Sequence, residues 1–158
     1  MIKIKNELTE REINYLKTIF KLNGHKKPVG PAKIAKKMNT SRPGALKKLK
    51  KLEEKELGTY IKNKGLKINE KGLEKIKEEI EKHHLLEKFL QKNLNLSHEQ
   101  SCQESAKIAN STSKDLLKVL KSQINLEKPC KCGYEKKENL DIQDLQNCHW
   151  LKKGGDAH

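Results

Sequence analysis

The stretch PAKIAKKMNTSRPGALKKLKK, residues 31–51, limits what this chain can fold into more than any other part of it. Gly30 and Pro31 supply a helix start, because proline's fixed φ and missing N–H suit the first helical turn. Ile34, Ala35 and Met38 then share one helix face. Asn39 and Thr40 break that helix. Ser41 is a good N-cap for a second helix, whose inner face reads Ala45, Leu46, Leu49 and Leu52 and which runs to about Leu57-Gly58. Two short helices joined by a tight turn form a helix–turn–helix, a unit that sets the N-terminal end of its second helix in the major groove of DNA.

Charge supports that reading through its distribution. The 158-residue chain carries a formal net charge of +14. Residues 26–64 alone hold 13 basic and 3 acidic side chains, so the excess clusters where phosphate contacts are needed. A lysine-rich composition explains a high total charge equally well, since arginine occurs only at Arg11 and Arg42, but it does not explain the clustering. Aromatic residues make up 4% of the chain, too few for stacking platforms on single strands. No acidic cluster of the two-metal nuclease kind, Gly-rich phosphate loop, Ser-His-Asp arrangement or nucleotide fingerprint is visible, so an enzyme is not expected. No 18-residue apolar run is present and MIKIKNELTE lacks a signal-peptide core, so a cytoplasmic protein without a membrane partner is expected. In that compartment its four cysteines are thiols or metal ligands before they are disulfides.

The rest of the chain builds around the helix–turn–helix. Thr9-Glu10-Arg11-Glu12 is a capping box opening a helix to about Leu22, with Ile13, Leu16, Ile19 and Phe20 as its buried stripe and Asn23-Gly24 as its close. Thr59-Tyr60-Ile61 and Leu66-Lys67-Ile68 flank Asn63-Lys64-Gly65, a hairpin turn with glycine where a positive φ is needed. Three helices followed by a hairpin make a winged helix. Asn69 to Gly72 cap a long helix to about Asn93, whose apolar residues Leu73, Ile76, Ile80, Leu85, Leu86, Phe89 and Leu90 are too many for a solvated rod. Ser97 caps a helix to about Ala109, and Ser111 to Ser113 cap another carrying Leu116, Leu117, Val119, Leu120 and Ile124. The expected fold is therefore mainly α with a small β-hairpin wing. It divides into a winged helix–turn–helix at 1–72, an α-helical dimerisation and metal-binding module at 73–125, and a cysteine-containing tail at 126–158.

The order of elements resembles the iron- and manganese-dependent repressor family typified by the diphtheria toxin repressor and the manganese transport regulator. Five local matches carry the resemblance in the correct order over residues 9–125: Tyr15 to Phe20; Ile34-Ala35 with Ser41-x-Pro43; Leu66-Lys67-Ile68-Asn69-x-x-Gly72; Lys82-His83-x-Leu85-x-Glu87-x-x-Leu90; and His98-Glu99-x-x-Cys102. The resemblance implies a homodimer on double-stranded operator DNA, with metal occupancy favouring the DNA-binding shape. Its ancillary metal position corresponds to His83, Glu87 and His98. Independently, i,i+4 spacing puts His83 with Glu87 on one helix face and His98 with Cys102 on another, giving ligands suited to Fe, Mn, Co or Zn. The plain alternative is an exposed histidine and a buried thiol. The family's primary position reads Asn14, Cys102, Ser105 and Ala106 here, so the ordinary iron or manganese site is expected to be absent.

The tail offers a second set of donors: Cys130, Cys132, Cys148 and His149, with 15 residues between the two groups. Zinc, an iron–sulfur cluster and plain thiols are all compatible with that spacing. For DNA, the residues at the start of the second helix are Ser41, Arg42, Pro43, Gly44 and Lys47, with Arg42 the best reader of guanine. Lys48 and the wing residues Lys62 and Lys64 suit phosphates. The sequence thus points to a homodimeric metal- or redox-responsive transcriptional regulator, a repressor of metal homeostasis genes. The alternative is a winged-helix regulator with structural zinc or no metal sensing.

Overall fold

A computed structural model describes residues 7–125. These divide into two compact units between Ile76 and Lys77. In the first, helix α1 spans Glu10–Lys21, α2 Pro31–Met38 and α3 Arg42–Glu54, followed by strands β1 at Gly58–Ile61 and β2 at Gly65–Ile68. Thr9 caps α1 through the full capping box: the Glu12 N–H donates to Thr9 Oγ1 at 3.2 Å, and the Thr9 N–H donates to Glu12 Oε2 at 2.9 Å. The same carboxylate takes Lys55 Nζ at 2.7 Å, so a charge just beyond the end of α3 is bound to the start of α1. Burial alone would raise the Glu12 pKa. The Lys55 hydrogen bond, helped by the Thr9 N–H, outweighs it and holds Glu12 below its ordinary value.

Three helices of this unit end in the same way. Asn23, Asn39 and Glu56 adopt φ of 63°, 49° and 59°, and the following N–H groups of Gly24, Thr40 and Leu57 reach back to the carbonyls of Ile19, Ala35 and Leu52. These six-to-one bonds satisfy carbonyls that a helix end leaves without partners. They also stop α3 at Glu54, short of the Leu57-Gly58 end read from the sequence. The core combines Tyr15, Leu16, Ile19, Phe20, Ile34, Leu49, Leu52 and Leu66, all at most 1% exposed. Leu46 does not join it and is 37% exposed. It follows Ala45 by one residue, a turn of about 100° away from the Ala45, Leu49, Leu52 stripe.

The hairpin pairs Gly58 with Ile68, Thr59 with Lys67, Tyr60 with Leu66 and Ile61 with Gly65. Asn63 at φ 63° and Gly65 at φ 118° turn the chain. A side chain at Gly65 would strike the Val29 carbonyl, which lies against it because Val29 and Leu66 exchange backbone hydrogen bonds at 2.9 and 3.0 Å. Sequence periodicity gave no hint of this single-residue bridge.

Helix α4, Glu70–Leu94, begins at Asn69, whose Oδ1 accepts from the Gly72 N–H at 2.9 Å. In the second unit the later turns of α4 meet α5 at His98–Ile108, a 3₁₀ turn at Ala109–Ser111 and α6 at Lys114–Gln123. Ser97 forms a capping box with Gln100, and Ser113 caps α6. Leu85 packs with Ile124, and Leu86 with Ala109 and Leu120, while Phe89 and Leu117 cover both groups. Leu116 and Val119 leave the opposite side of α6 apolar, 47% and 52% exposed. Among the described residues no helix is long and apolar enough to cross a membrane.

Candidate functional site

The first unit presents the predicted DNA-facing residues outward. Ser41, Arg42, Pro43, Lys47, Lys62 and Lys64 are exposed, and Gly44 and Lys48 half-buried. Ser41 Oγ accepts from the Gly44 N–H at 3.1 Å, which fixes the first turn of α3 and leaves the hydroxyl hydrogen available to donate. No acidic residue lies in that first turn, so the partial positive charge of the helix end is unopposed towards an anion. Lys62 and Lys64 lie at the tip of the wing. Lys50 is held differently: its Nζ lies 4.1 Å from the Tyr60 ring centroid and 3.6 Å from Glu53 Oε2, and Glu53 Oε1 accepts the Tyr60 N–H at 2.7 Å. This trio braces β1 against α3 and makes Lys50 part of the wing's root.

In the second unit, polar side chains sit where an ordinary helix pair would place leucines. His83, His84, Glu87 and Cys102 are 0%, 1%, 1% and 7% exposed. Their placement follows from periodicity: His83 and Glu87 lie one turn apart on α4, and Cys102 lies one turn beyond His98 on α5. His83 Nε2 is 3.4 Å from Glu87 Oε2 and 3.6 Å from Cys102 Sγ. These three donors, all within 4.8 Å of one another, form a buried group of the kind that can hold a metal ion. The second oxygen of Glu87 meets His98 Nδ1 at 2.7 Å and accepts from Gln91 Nε2 at 3.2 Å. His84 Nδ1 stands 3.5 Å from Glu87 Oε2. Of the four α4–α5 residues expected from the sequence, three converge and His98 approaches through Glu87. His84 and Gln91 were missed. His84 is one residue from His83 and points about 100° away, which on a two-helix reading sends it to solvent.

The residues fit a metal ion. A carboxylate and a thiol are buried beside imidazole nitrogens, a donor set that suits a divalent transition metal. At the primary-like position the fit fails. The Ser105 hydroxyl donates to the Ser101 carbonyl at 2.6 Å and Ala106 is exposed, so neither supplies a ligand. Asn14 belongs to the first unit and is half-buried. Cys130, Cys132, Cys148 and His149 lie outside the described residues.

A winged helix–turn–helix joined to a helical unit with a buried ligand cluster defines a DNA-binding regulator with a metal-binding domain. The chain belongs to the iron dependent repressor family: residues 7–66 match its N-terminal DNA binding domain and residues 69–138 its metal binding and dimerisation domain. Those domains make it a DNA-binding regulator that pairs an operator-binding unit with a metal-binding and dimerisation unit. Among solved structures it is similar to the hypothetical protein SSo2273 from Sulfolobus solfataricus, at 25% identity and a TM-score of 0.73 over 81% of this chain and 98% of that one. It is also similar to the manganese regulator SloR, at 28% identity and a TM-score of 0.58 over 78% of this chain and 57% of that one. The IdeR of T. acidophilum shares the fold, at 19% identity and a TM-score of 0.54 over 73% of this chain and 54% of that one. A comparison with curated proteins finds no match.

Proposed function

We propose that this chain is a cytoplasmic homodimeric repressor of metal homeostasis genes, switched by a divalent transition metal at the α4–α5 cluster. The convergence of His83, Glu87 and Cys102 in a buried interior, with His98 against the same carboxylate, carries this reading. A bound divalent ion supplies the positive charge that lets a buried carboxylate and thiolate share one site, and it ties α4 to α5. The protein's own part is to hold these donors in register. The Ser97 capping box starts α5 at His98, and the Leu85, Leu86, Phe89, Leu117 and Ile124 packing fixes α4 beside its neighbours. In the DNA-binding unit, Arg42 reads a base edge from the first turn of α3, Ser41 and Lys47 flank it, and Lys48, Lys62 and Lys64 engage phosphates. Two such heads related by a two-fold axis suit a palindromic operator.

The test is operator affinity, measured by fluorescence anisotropy with and without chelator. Affinity should fall on chelation and return with Zn(II) or Fe(II), and His83→Ala should remove the response. Equal affinity in both conditions would refute the switch. It would favour the second reading, a regulator with structural zinc or no metal sensing, for which the ligand-free Ser105 and Ala106 speak.

A further inference from the structure

We infer that the α4–α5 cluster is a single thiolate centre. In it His83 Nε2, Glu87 Oε2 and Cys102 Sγ are the ligands, His98 is a positioning residue, and the ion is a thiophilic one (zinc, cobalt(II) or iron(II)) rather than manganese. This rests on the reading of the cluster as the metal site and adds its ligand set and its selectivity. Distances within the cluster separate the two kinds of residue. With metal–N and metal–O lengths of about 2.0–2.1 Å and metal–S of about 2.3 Å, a tetrahedral ion keeps N and O ligands about 3.3 Å apart, and N and S about 3.6 Å apart. The observed separations are 3.4 Å for His83 Nε2 to Glu87 Oε2 and 3.6 Å for His83 Nε2 to Cys102 Sγ. Two of the three edges already have the length that one ion would impose, and the Glu87 and Cys102 donors lie within 4.8 Å of each other.

The contact between His98 Nδ1 and Glu87 Oε1, at 2.7 Å, is too short for two ligands of one tetrahedral ion and has the length of a charge-assisted hydrogen bond. It falls on the carboxylate oxygen that His83 does not face. Gln91 Nε2, 3.2 Å from that oxygen and 3.3 Å from His98 Nδ1, completes the hold on Glu87. His98 thereby orients a ligand, the arrangement by which outer groups commonly tune metal affinity. Burial of the sulfur sets the selectivity. Manganese prefers carboxylates, carbonyls and water and lies lowest in the divalent affinity series, whereas a thiolate favours zinc and iron. Binding converts the Cys102 thiol to thiolate and releases its proton to solvent.

The full-length apo protein is titrated with Co(II) and its spectrum followed. One Co(II) per protomer should bind at this centre, with a sulfur-to-cobalt charge-transfer band in the near ultraviolet. Cys102→Ser should lose the band, while combined Cys130→Ser, Cys132→Ser and Cys148→Ser replacement should keep it. His98→Ala should keep the band with about 10–100-fold weaker affinity, and His98→Gln should recover part of that loss. Zn(II) should displace the cobalt and Mn(II) should not. Survival of the band in Cys102→Ser, its loss in the triple variant, displacement by Mn(II), or loss of the band in His98→Ala would each overturn the assignment. X-ray absorption of the zinc-loaded triple variant checks the ligand set without altering the cluster. One sulfur at about 2.3 Å is expected, and none would refute it. None of these readouts involves DNA. A thiolate band with metal-independent operator binding therefore refutes the switch alone, and a metal-dependent operator without the band refutes the ligand set alone.

Discussion

The two units bury different chemistry. In the winged helix the interior is mostly apolar, with Glu12 tied to Thr9 and Lys55 and Glu53 to the wing root at element ends, and Lys17 and Thr18 the further buried polar side chains on α1. In the helical unit, His83, His84, Glu87, Ser101 and Ser105 occupy the interior. The contrast teaches that the reading head is held mainly by apolar contact. The helical unit instead places ionisable groups where apolar contact would have been more favourable, which costs stability unless something compensates.

The largest expected effect tests the first half of that contrast. Leu49→Ala, which empties a fully buried position, should destabilise the winged helix by about 2–5 kcal/mol, and metal should not restore the loss. Calorimetry with and without zinc decides this, and metal rescue of that unit would blur the distinction. Next, the unfolding transition of the helical unit should rise on metal addition by ~2.7 kcal/mol at one hundred times the dissociation constant, and Glu87→Gln should abolish the gain. On the DNA side, Arg42→Ala should cost about 1–3 kcal/mol of operator discrimination. Lys48→Ala should weaken all DNA alike and reduce the salt slope by about one. Equal effects on specificity would undo that division of roles.

The smallest effect is acid sensitivity of the winged helix, followed by urea midpoints. Both ring nitrogens of His25 are buried without a hydrogen-bond partner, and burial, then Lys26, lowers its pKa. The unfolded chain therefore takes up the proton first, and stability should fall as pH drops below about 6.5. Glu12 adds a second loss below about pH 4.3, as the medium approaches its depressed pKa and its bond to Lys55 is protonated away. His25→Phe should remove the first step and Glu12→Gln the second.

Local rules made much of this fold legible. The Thr9, Ser41, Asn69, Ser97 and Ser113 caps, the turn at Gly65 and the stripes of α1 and α4 each follow from a few neighbouring residues. The metal residues were legible as faces because i,i+4 spacing is a property of one helix. Their convergence depends on the register of α5 against α4, which no single segment encodes. Hence His98 looked equivalent to Cys102, although one touches the carboxylate's far oxygen and the other the His83 nitrogen. Leu46 was misplaced because an apolar residue one step off a stripe looks like part of it. The Val29 bridge escaped because one residue has no period.

That bridge has a consequence for how the reading head can diverge. Clasped between Gly65 and Leu66 on one side and Val29 on the other, the turn end of the hairpin tolerates neither a larger residue at 65 nor a shift of register. Lys62 and Lys64 at its tip are exposed and under no such restraint. If these lysines meet phosphates as proposed, substitution there alters how strongly the wing holds DNA while its reach stays fixed, so affinity can drift without the scaffold being rebuilt.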